Sequence, residues 1–299
     1  MDDSPRTRAL AFLRTHARPL ERRLGDLLLG EPHPVVSACA VLDLLSGHRN
    51  PDGGLGHALE PDVRAPDSQP LAADFALEVT ELVLASQAGA DEGVRDRVAA
   101  FARGLVPYLA SVAAPDGGLP IVLPTVAAHP RAAHWGDGEF PPALNPTAGI
   151  VARLRAAGVA DPWLDTAETF CRERIEALDD RPDGHTAANV LRFLAASPDQ
   201  DWARPRLAAL GGRLGELSLF QLYPGEGYGL TPVDLAPLPD NPLRAFIPDD
   251  AVAAHLRALA AAQCPDGGWP VPWEPPGPAA ALEWRGVRTV RSAWILAAH

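Results

Sequence analysis

The sequence predicts an all-α fold of helical hairpins that close into a ring or stack into an array. Three observations predict it. First, the tetrapeptide Pro-Asp-Gly-Gly occurs at Pro51–Gly54, Pro115–Gly118 and Pro265–Gly268, with a degenerate Pro-Asp-Gly-His at Pro182–His185. Each copy follows an Ala/Leu-rich stretch of helical spacing. Another such stretch comes after it, at once in the degenerate copy and after a longer connection elsewhere. A recurring helix–turn–helix unit is the mark of a repeat architecture. Second, the turn has the chemistry of a chain reversal. Proline ends a helix, Asp bonds its own downstream backbone, and Gly supplies positive φ. Third, strict period-2 alternation is hard to find. The short apolar run Leu119–Val126 contains Pro120 and Pro124, which argue against a strand.

Helices are expected, in order, over 5–24, 35–48, 69–87, 92–112, 146–157, 162–178, 185–196, 202–222, 249–262 and 287–298. Glu31-Pro32-His33-Pro34 separates the first two. Ser68 stands as cap before 69–87. Asn145 and Asp161 precede prolines at first helical positions, and Asp249-Asp250 read as capping acids. The connections 119–144, 224–247 and 269–286 are long and rich in Pro, Gly and aromatic residues, so they are expected to be ordered and to cover something.

No Ser/Gly linker or charge run divides the 299 residues, which read as one domain over 1–299. The formal charge is −12 and all 26 basic residues are Arg. An acidic chain without a basic stripe is a poor nucleic-acid binder. No apolar run is long enough for a membrane span, and the acidic start shows no secretory signal. Cys39, Cys171 and Cys264 are widely spaced and odd in number. They read as reduced core residues of a cytoplasmic protein.

After the turns come the polar helix starts Asp67-Ser68-Gln69, Asn145-Pro146-Thr147, His185-Thr186 and Arg288-Thr289. If these helices form an inner ring, their N-termini gather at one mouth, whose partial positive charge suits an anionic group. The wall below that mouth is expected to be Ala, Leu, Val and Phe.

The segment Gln263-Cys264-Pro265-Asp266-Gly267-Gly268-Trp269 resembles the Gln-…-Gly-x-Trp repeat of squalene–hopene and oxidosqualene cyclases. Pro51–His57, followed by Ser68-Gln69-Pro70-Leu71-Ala72, resembles the glycine-rich turns of protein prenyltransferase β subunits. The general look is that of bacterial prenyltransferase-like or squalene-cyclase-like proteins. The resemblance implies an α/α toroid of about five or six hairpins, with long ordered loops over one end. Two departures stand out. Ile247-Pro248-Asp249-Asp250 lacks the first acid of the cyclase Asp-x-Asp-Asp motif, and no Cys opens an inner helix where a prenyltransferase zinc set needs one.

Several residues are candidates for chemistry. His57-Ala58-Leu59-Glu60-Pro61-Asp62-Val63-Arg64 brings His, two carboxylates and Arg into one loop, either as catalytic groups or as a charged brace. Asp234 sits in a loop able to cross the mouth, as an acid or as a turn cap. Glu60, Asp62 and Asp234 are therefore the candidate acids or bases. His57, Arg64, Gln69, Asn145, His185, Asn189, Trp269, Trp284 and Arg288 are the candidate substrate-binding residues. His185 and Asn189 share a helix face. Trp269, Trp273 and Trp284, with Arg285 and Arg288, form the richest aromatic–cationic segment, which either lines a pocket or packs the ring closure. Asp179-Asp180-Arg181-Pro182-Asp183 fits the magnesium-diphosphate pattern Asp-Asp-x-x-Asp, but Pro182 breaks the helix that motif needs, leaving a solvated turn. No metal-ligand spacing joins His129, His134 and His185.

These readings converge on a terpenoid-cyclase-like enzyme acting by acid/base chemistry on a small apolar or isoprenoid ligand in a central cavity. It needs no cofactor, with magnesium entering only for a diphosphate substrate. An α/α-barrel carbohydrate enzyme and a non-catalytic ligand-binding scaffold are the alternatives.

Overall fold

Prolines set most of the helix starts. In the computed structural model, which describes residues 4–30, 32–178 and 181–299, the helices are α1 (Pro5–His16), α2 (Pro19–Leu28), α3 (Pro34–Ser46), α4 (Pro70–Ala85), α5 (Glu92–Arg103), α6 (Val106–Val112), α7 (Leu144–Ala156), α8 (Pro162–Glu176), α9 (Gly184–Ala196), α10 (Gln200–Gly211), α11 (Pro232–Leu235), α12 (Asp249–Ala261) and α13 (Pro278–Ala298). The all-α prediction holds. Among the described residues β-pairing is confined to isolated bridges, such as Arg49 with Leu55 and Leu119 with Ala143.

Several boundaries differ from the periodicity reading, for local reasons. The expected helix 5–24 is two helices, because Pro19 cannot continue α1 and forces Arg18 into an extended conformation. The segment 92–112 likewise divides at Gly104-Leu105. The segment 202–222 stops at Gly211 and passes through a 3₁₀ turn at Leu214–Glu216. The last helix starts at Pro278, well before 287, because Pro278 fits a first helical turn that its proline-rich approach disguises. Ser68 does not cap α4. Gln69 occupies that position without a side-chain cap bond, and the Ser68 hydroxyl donates to Asp52 instead (2.8 Å). Asp161 caps α8 as expected, accepting from Trp163 N (2.9 Å).

The three intact Pro-Asp-Gly-Gly turns are one structure built three times. In each, the first Gly has φ near +90° (Gly53 87°, Gly117 89°, Gly267 90°). In each, the Asp carboxylate accepts from the N–H of the second Gly: Asp52 from Gly54 at 2.9 Å, Asp116 from Gly118 at 3.3 Å and Asp266 from Gly268 at 3.1 Å. Two backbone bonds close every loop, as Asn50 N to Gly54 O and Gly53 N to Asn50 O do in the first copy. The next residue then hangs on a threonine of the following long helix in two copies: Thr147 Oγ1 accepts from Leu119 N (2.9 Å), and Thr289 Oγ1 from Trp269 N (3.0 Å). In the degenerate copy Asp183 caps α9 instead, accepting from His185 N and Thr186 N. Asp179 and Asp180 of the acidic motif lie outside the described residues.

A Cβ on Gly267 would press into the backbone carbonyl of Arg8, whereas one on Gly158, at φ +73°, meets nothing. Gly267→Ala is therefore expected to lower stability by more than the roughly 1–2 kcal/mol of left-handed strain alone, and Gly158→Ala by about that strain only. Equal shifts in thermal denaturation midpoint for the two variants would contradict this.

The helix pairings bring the two chain ends together. α1 and α2 both pack on α13, α2 packs on α3 and α4, α4 on α7, and α7 on α8 and α9. α10 then covers α9, and α12 packs on α13. One core cluster runs from Ala9 in α1 to Ala293 in α13, with Phe12, Leu77, Ile150 and Trp269 among its fully buried members. A second lies under α11 and α12, and a third, around Trp135, holds the 119–144 connection in place.

Candidate functional site

The loop after the first turn carries two acids into the protein. Asp62 is 5% exposed and Glu60 6%. The Asp62 carboxylate accepts from the indole N–H of Trp284 (2.8 Å), on the second turn of α13. Trp284 meets Trp273 edge to face (4.9 Å between centroids) and Phe75 of α4 likewise (6.3 Å). Trp273 is in turn met by Tyr228 (5.5 Å), whose ring stacks on His185 at the start of α9. The Tyr228 hydroxyl lies 2.9 Å from His185 Nε2. A continuous aromatic train thus leads from Asp62 to His185, assembled from four separate segments. The Trp273 indole nitrogen is buried without a hydrogen bond of ordinary geometry.

Burial sets the electrostatics of this train. It raises the Glu60 carboxyl well above the usual carboxylate range, and the neighbouring Asp62 adds to the shift. Arg18 opposes it, as does the Asp62 backbone N–H that Glu60 accepts at 2.9 Å. Burial also raises Asp62, against the Trp284 hydrogen bond and the charge of His134. It lowers His185, whose neighbours Asp183, Glu78 and Asp234 pull the other way. Tyr228 is pushed up to about 12, chiefly by burial and then by Asp234. The site therefore joins carboxyl groups that tend to keep their protons with an imidazole that tends to stay neutral.

The cations around it are mostly committed. Arg64 forks onto Glu283 of α13. Arg18 grips Glu21 through both oxygens and bonds the carbonyls of Ala58 and Leu59, so it braces the acidic loop from behind. Arg288 is held more loosely: its nearest acid, Asp234, is 3.9 Å away, and its Nε is buried without a partner. Asp234 is also the capping acid of α11, in a reciprocal box with Thr231. The turn-cap reading of Asp234 is thus met.

Asp62, His185, Trp284, Arg288 and Asp234 are brought to one place, while other predicted residues are not. His57 is exposed and bonded to Asn50 within its own turn (2.9 Å). Gln69 is fully buried and staples the 119–144 connection, donating to Thr125 Oγ1 and accepting from Leu123 N (2.8 Å each). Trp269 is a core residue whose indole donates to the Leu259 carbonyl (2.8 Å). Asn145 and Asn189 bond to each other (3.1 Å), and Gly149 makes room for this contact, since a Cβ there would strike the Asn189 amide oxygen. Tyr228 and Arg18 were missed by sequence reasoning. Tyr228 lies in a glycine-rich connection whose only signal was its aromatic content, and Arg18 falls inside the expected helix 5–24 with no signal of its own.

The expected wall of Ala, Leu, Val and Phe is met only in part. Where α4, α7, α9 and α13 converge they also carry Asp74, Glu78, Glu81, Arg153, Arg192 and Arg291. Arg153 bonds Asp74 (2.6 Å), Glu78 (3.0 Å) and Glu81 (3.1 Å), while Arg291 pairs with Glu78. Burial raises Asp74 to about 6. Glu78 also feels burial, but Arg291, Arg153 and Arg192 outweigh it and bring it to about 2. A cavity of about 80 Å³ lies against this network, walled by Leu77, Leu84, Ala152, Ala156 and Ala196. The helix-period pattern places apolar and charged residues equally well on an inner face, and only the meeting of four helices lets the charges neutralise one another.

Among the described residues, no group of three His, Cys, Asp or Glu side chains is arranged to hold a metal ion. His129 faces Asp67 (3.7 Å). No helix among them is long and apolar enough to cross a membrane. No protein-family model matches the chain, and no curated protein matches its sequence.

Proposed function

We propose that the protein is an acid/base enzyme of terpenoid-cyclase-like character, which protonates an apolar or isoprenoid substrate at the mouth formed by α4, α9 and α13. The observation that carries this reading is the buried Asp62 carboxyl, raised in pKa and pinned to Trp284 at the end of an aromatic train. A buried carboxyl whose pKa is raised keeps its proton to higher pH than a free one and can serve as a general acid. Trp284, Trp273, Phe75 and Tyr228 cluster edge to face, and their rings would supply the π density that stabilises a developing carbocation. The meeting of α1 and α2 with α13 supports the toroid arrangement. The charged interior makes the mouth the reacting region, with only the reactive end of the substrate entering it.

Glu60 orients the acid by accepting the Asp62 backbone N–H, and Asp234 holds Arg288 at the rim. Protonation of an alkene by a carboxyl group requires no metal, and magnesium enters only with a diphosphate substrate. The three free cysteines fit a reducing, cytoplasmic setting. The carbohydrate-enzyme reading asks for two carboxylates across the mouth. Glu60 instead bonds the backbone of Asp62 itself, and Trp273 and Trp284 meet edge to face, not as a flat sugar platform.

The test is product analysis by gas chromatography and mass spectrometry. The purified protein is incubated with squalene, farnesyl diphosphate and geranylgeranyl diphosphate, with and without magnesium. The expected result is conversion of one of them, with loss of product in Asp62→Asn. The reading fails if turnover of the identified substrate survives unchanged in both Asp62→Asn and Asp234→Asn.

A further inference from the structure

The geometry points to a second binding site, in the cavity at the far ends of α4, α7 and α9, for a small aliphatic carboxylate whose charge rests on Arg192 and whose chain lies against alanine and leucine. This site is separate from the mouth and independent of the acid/base reading above.

The helices fix its place. Leu84, Ala156 and Ala196 belong to the last turns of α4, α7 and α9, and all three line the cavity of about 80 Å³. The three helices therefore end together there. The mouth is at their other end, where the aromatic train reaches His185 in the first turn of α9. The Arg153 network fills the turns between. The cavity floor is buried, at Leu77 and Ala152, while Ala156 and Ala196 at the rim are exposed, so a ligand enters from solvent.

The polar groups of the lining decide which ligand fits. The Thr80 hydroxyl is spent on the Leu77 carbonyl (2.8 Å). Arg153 is also committed, with each of its three nitrogens on a different acid. Glu81 gives one oxygen to Arg153 (3.1 Å) and the other to Arg192 Nε (3.5 Å). Neither terminal nitrogen of Arg192 has a hydrogen-bond partner among the described residues. The lining thus holds two guanidinium groups against one carboxylate. Burial, and then the charge of Arg153, weaken the hold of Arg192 on its proton, against the pull of Glu81, Glu78 and Asp74. A ligand carboxylate forking onto the two terminal nitrogens supplies the missing counter-charge. An amine would meet both guanidinium groups and find the Glu81 oxygens already engaged. The helix C-termini oppose an anion, but that effect fades within the last turn, and Arg192 stands one turn before the end of α9.

The walls set the size. The cavity has about half the volume of the roughly 150 Å³ apolar cavity that takes benzene, so it suits a chain of about three to five carbons.

Isothermal titration calorimetry on the full chain tests the site without any turnover assay. The probes are sodium butyrate, isobutyrate and isovalerate, with butylamine and 1-butanol as matched controls. At least one acid is expected to bind saturably at one site, with a Kd of about 1 mM or tighter, and both controls at least about tenfold more weakly. Arg192→Met is expected to weaken binding by about tenfold or more. Ala156→Leu, a substitution at the exposed rim that fills the cavity, is expected to do the same with the fold intact by circular dichroism. It decides the matter if Arg192→Met does not fold. The proposal is overturned if none of the acids saturates, if butylamine binds as tightly, or if Ala156→Leu binds like the wild type. Loss of binding in Arg288→Met with retention in Arg192→Met would put the anion at the mouth and overturn it as well.

Discussion

Arg153→Met is expected to destabilise the fold by about 3 kcal/mol, the low end of the cost of breaking a buried charge network, because Arg153 is buried while its acids keep some solvent. Arg153 is 3% exposed and is the centre of the network, bonded at once to Asp74, Glu78 and Glu81 on successive turns of α4. Methionine fills a similar volume but offers no donors, so the half-buried Asp74 and Glu78 would keep only Arg291 and the more distant Arg192. Chemical denaturation followed by circular dichroism measures the loss. Arg97→Met is the control, because Arg97 pairs with Asp43 at the surface and such pairs contribute at most about 1 kcal/mol. A loss in Arg153→Met no larger than in Arg97→Met would show that the network does not hold α4 to α7.

The pH dependence of that loss has a definite sign. In the wild type the Glu78 pKa is depressed to about 2, so its contribution is present above the ordinary carboxylate range and lost as pH falls toward 2. In Arg153→Met Asp74 loses its main counter-charge, and its folded pKa, raised by burial to about 6 in the wild type, moves further above the unfolded one. A raised acid opposes folding when ionised, and the penalty disappears as pH falls through the raised value. The gap between the variant and the wild type is therefore widest at neutral pH and narrows on acidification. A gap that widens as pH falls would contradict this.

The second large effect is expected at Asp62. Asp62→Asn keeps the Trp284 contact, since the amide oxygen still accepts from the indole, but it removes the transferable proton. Turnover of the identified substrate is expected to fall by about 10²–10⁴-fold with the fold intact. Because the reactive form is the protonated carboxyl, wild-type activity falls as pH rises through the raised Asp62 pKa. Trp284 stabilises the ionised form through its N–H and so holds that pKa down. Trp284→Phe removes this bond, and the alkaline limb moves to higher pH. A limb that stays fixed or moves down in Trp284→Phe would place the controlling ionisation elsewhere.

Much of the local structure was legible in the residues alone. Pro-Asp-Gly-Gly dictates its turn, because only glycine accepts φ near +90° there and the Asp carboxylate has one N–H within reach. Asp161 with Pro162 marks the start of α8, and Asp183 the start of α9, from the same short-range chemistry. Boundaries failed where a proline acted against the periodicity, at Pro19 and at Pro278. The candidate site was legible in part. A loop holding Glu60 and Asp62 and a segment holding Trp284 and Arg288 stood out by composition, but nothing in the spacing joined them.

The sequence by itself thus determined the all-α class, the repeated turns and the set of side chains able to do chemistry, since each depends on neighbours a few residues away. Tertiary structure alone decided that Asp62 meets Trp284 across more than two hundred residues, that Tyr228 reaches His185, and that the interior is charged. Those outcomes depend on burial and on which helices face one another. An Arg on an inner helix face is a liability until three acids close around it, and no local pattern records that they do.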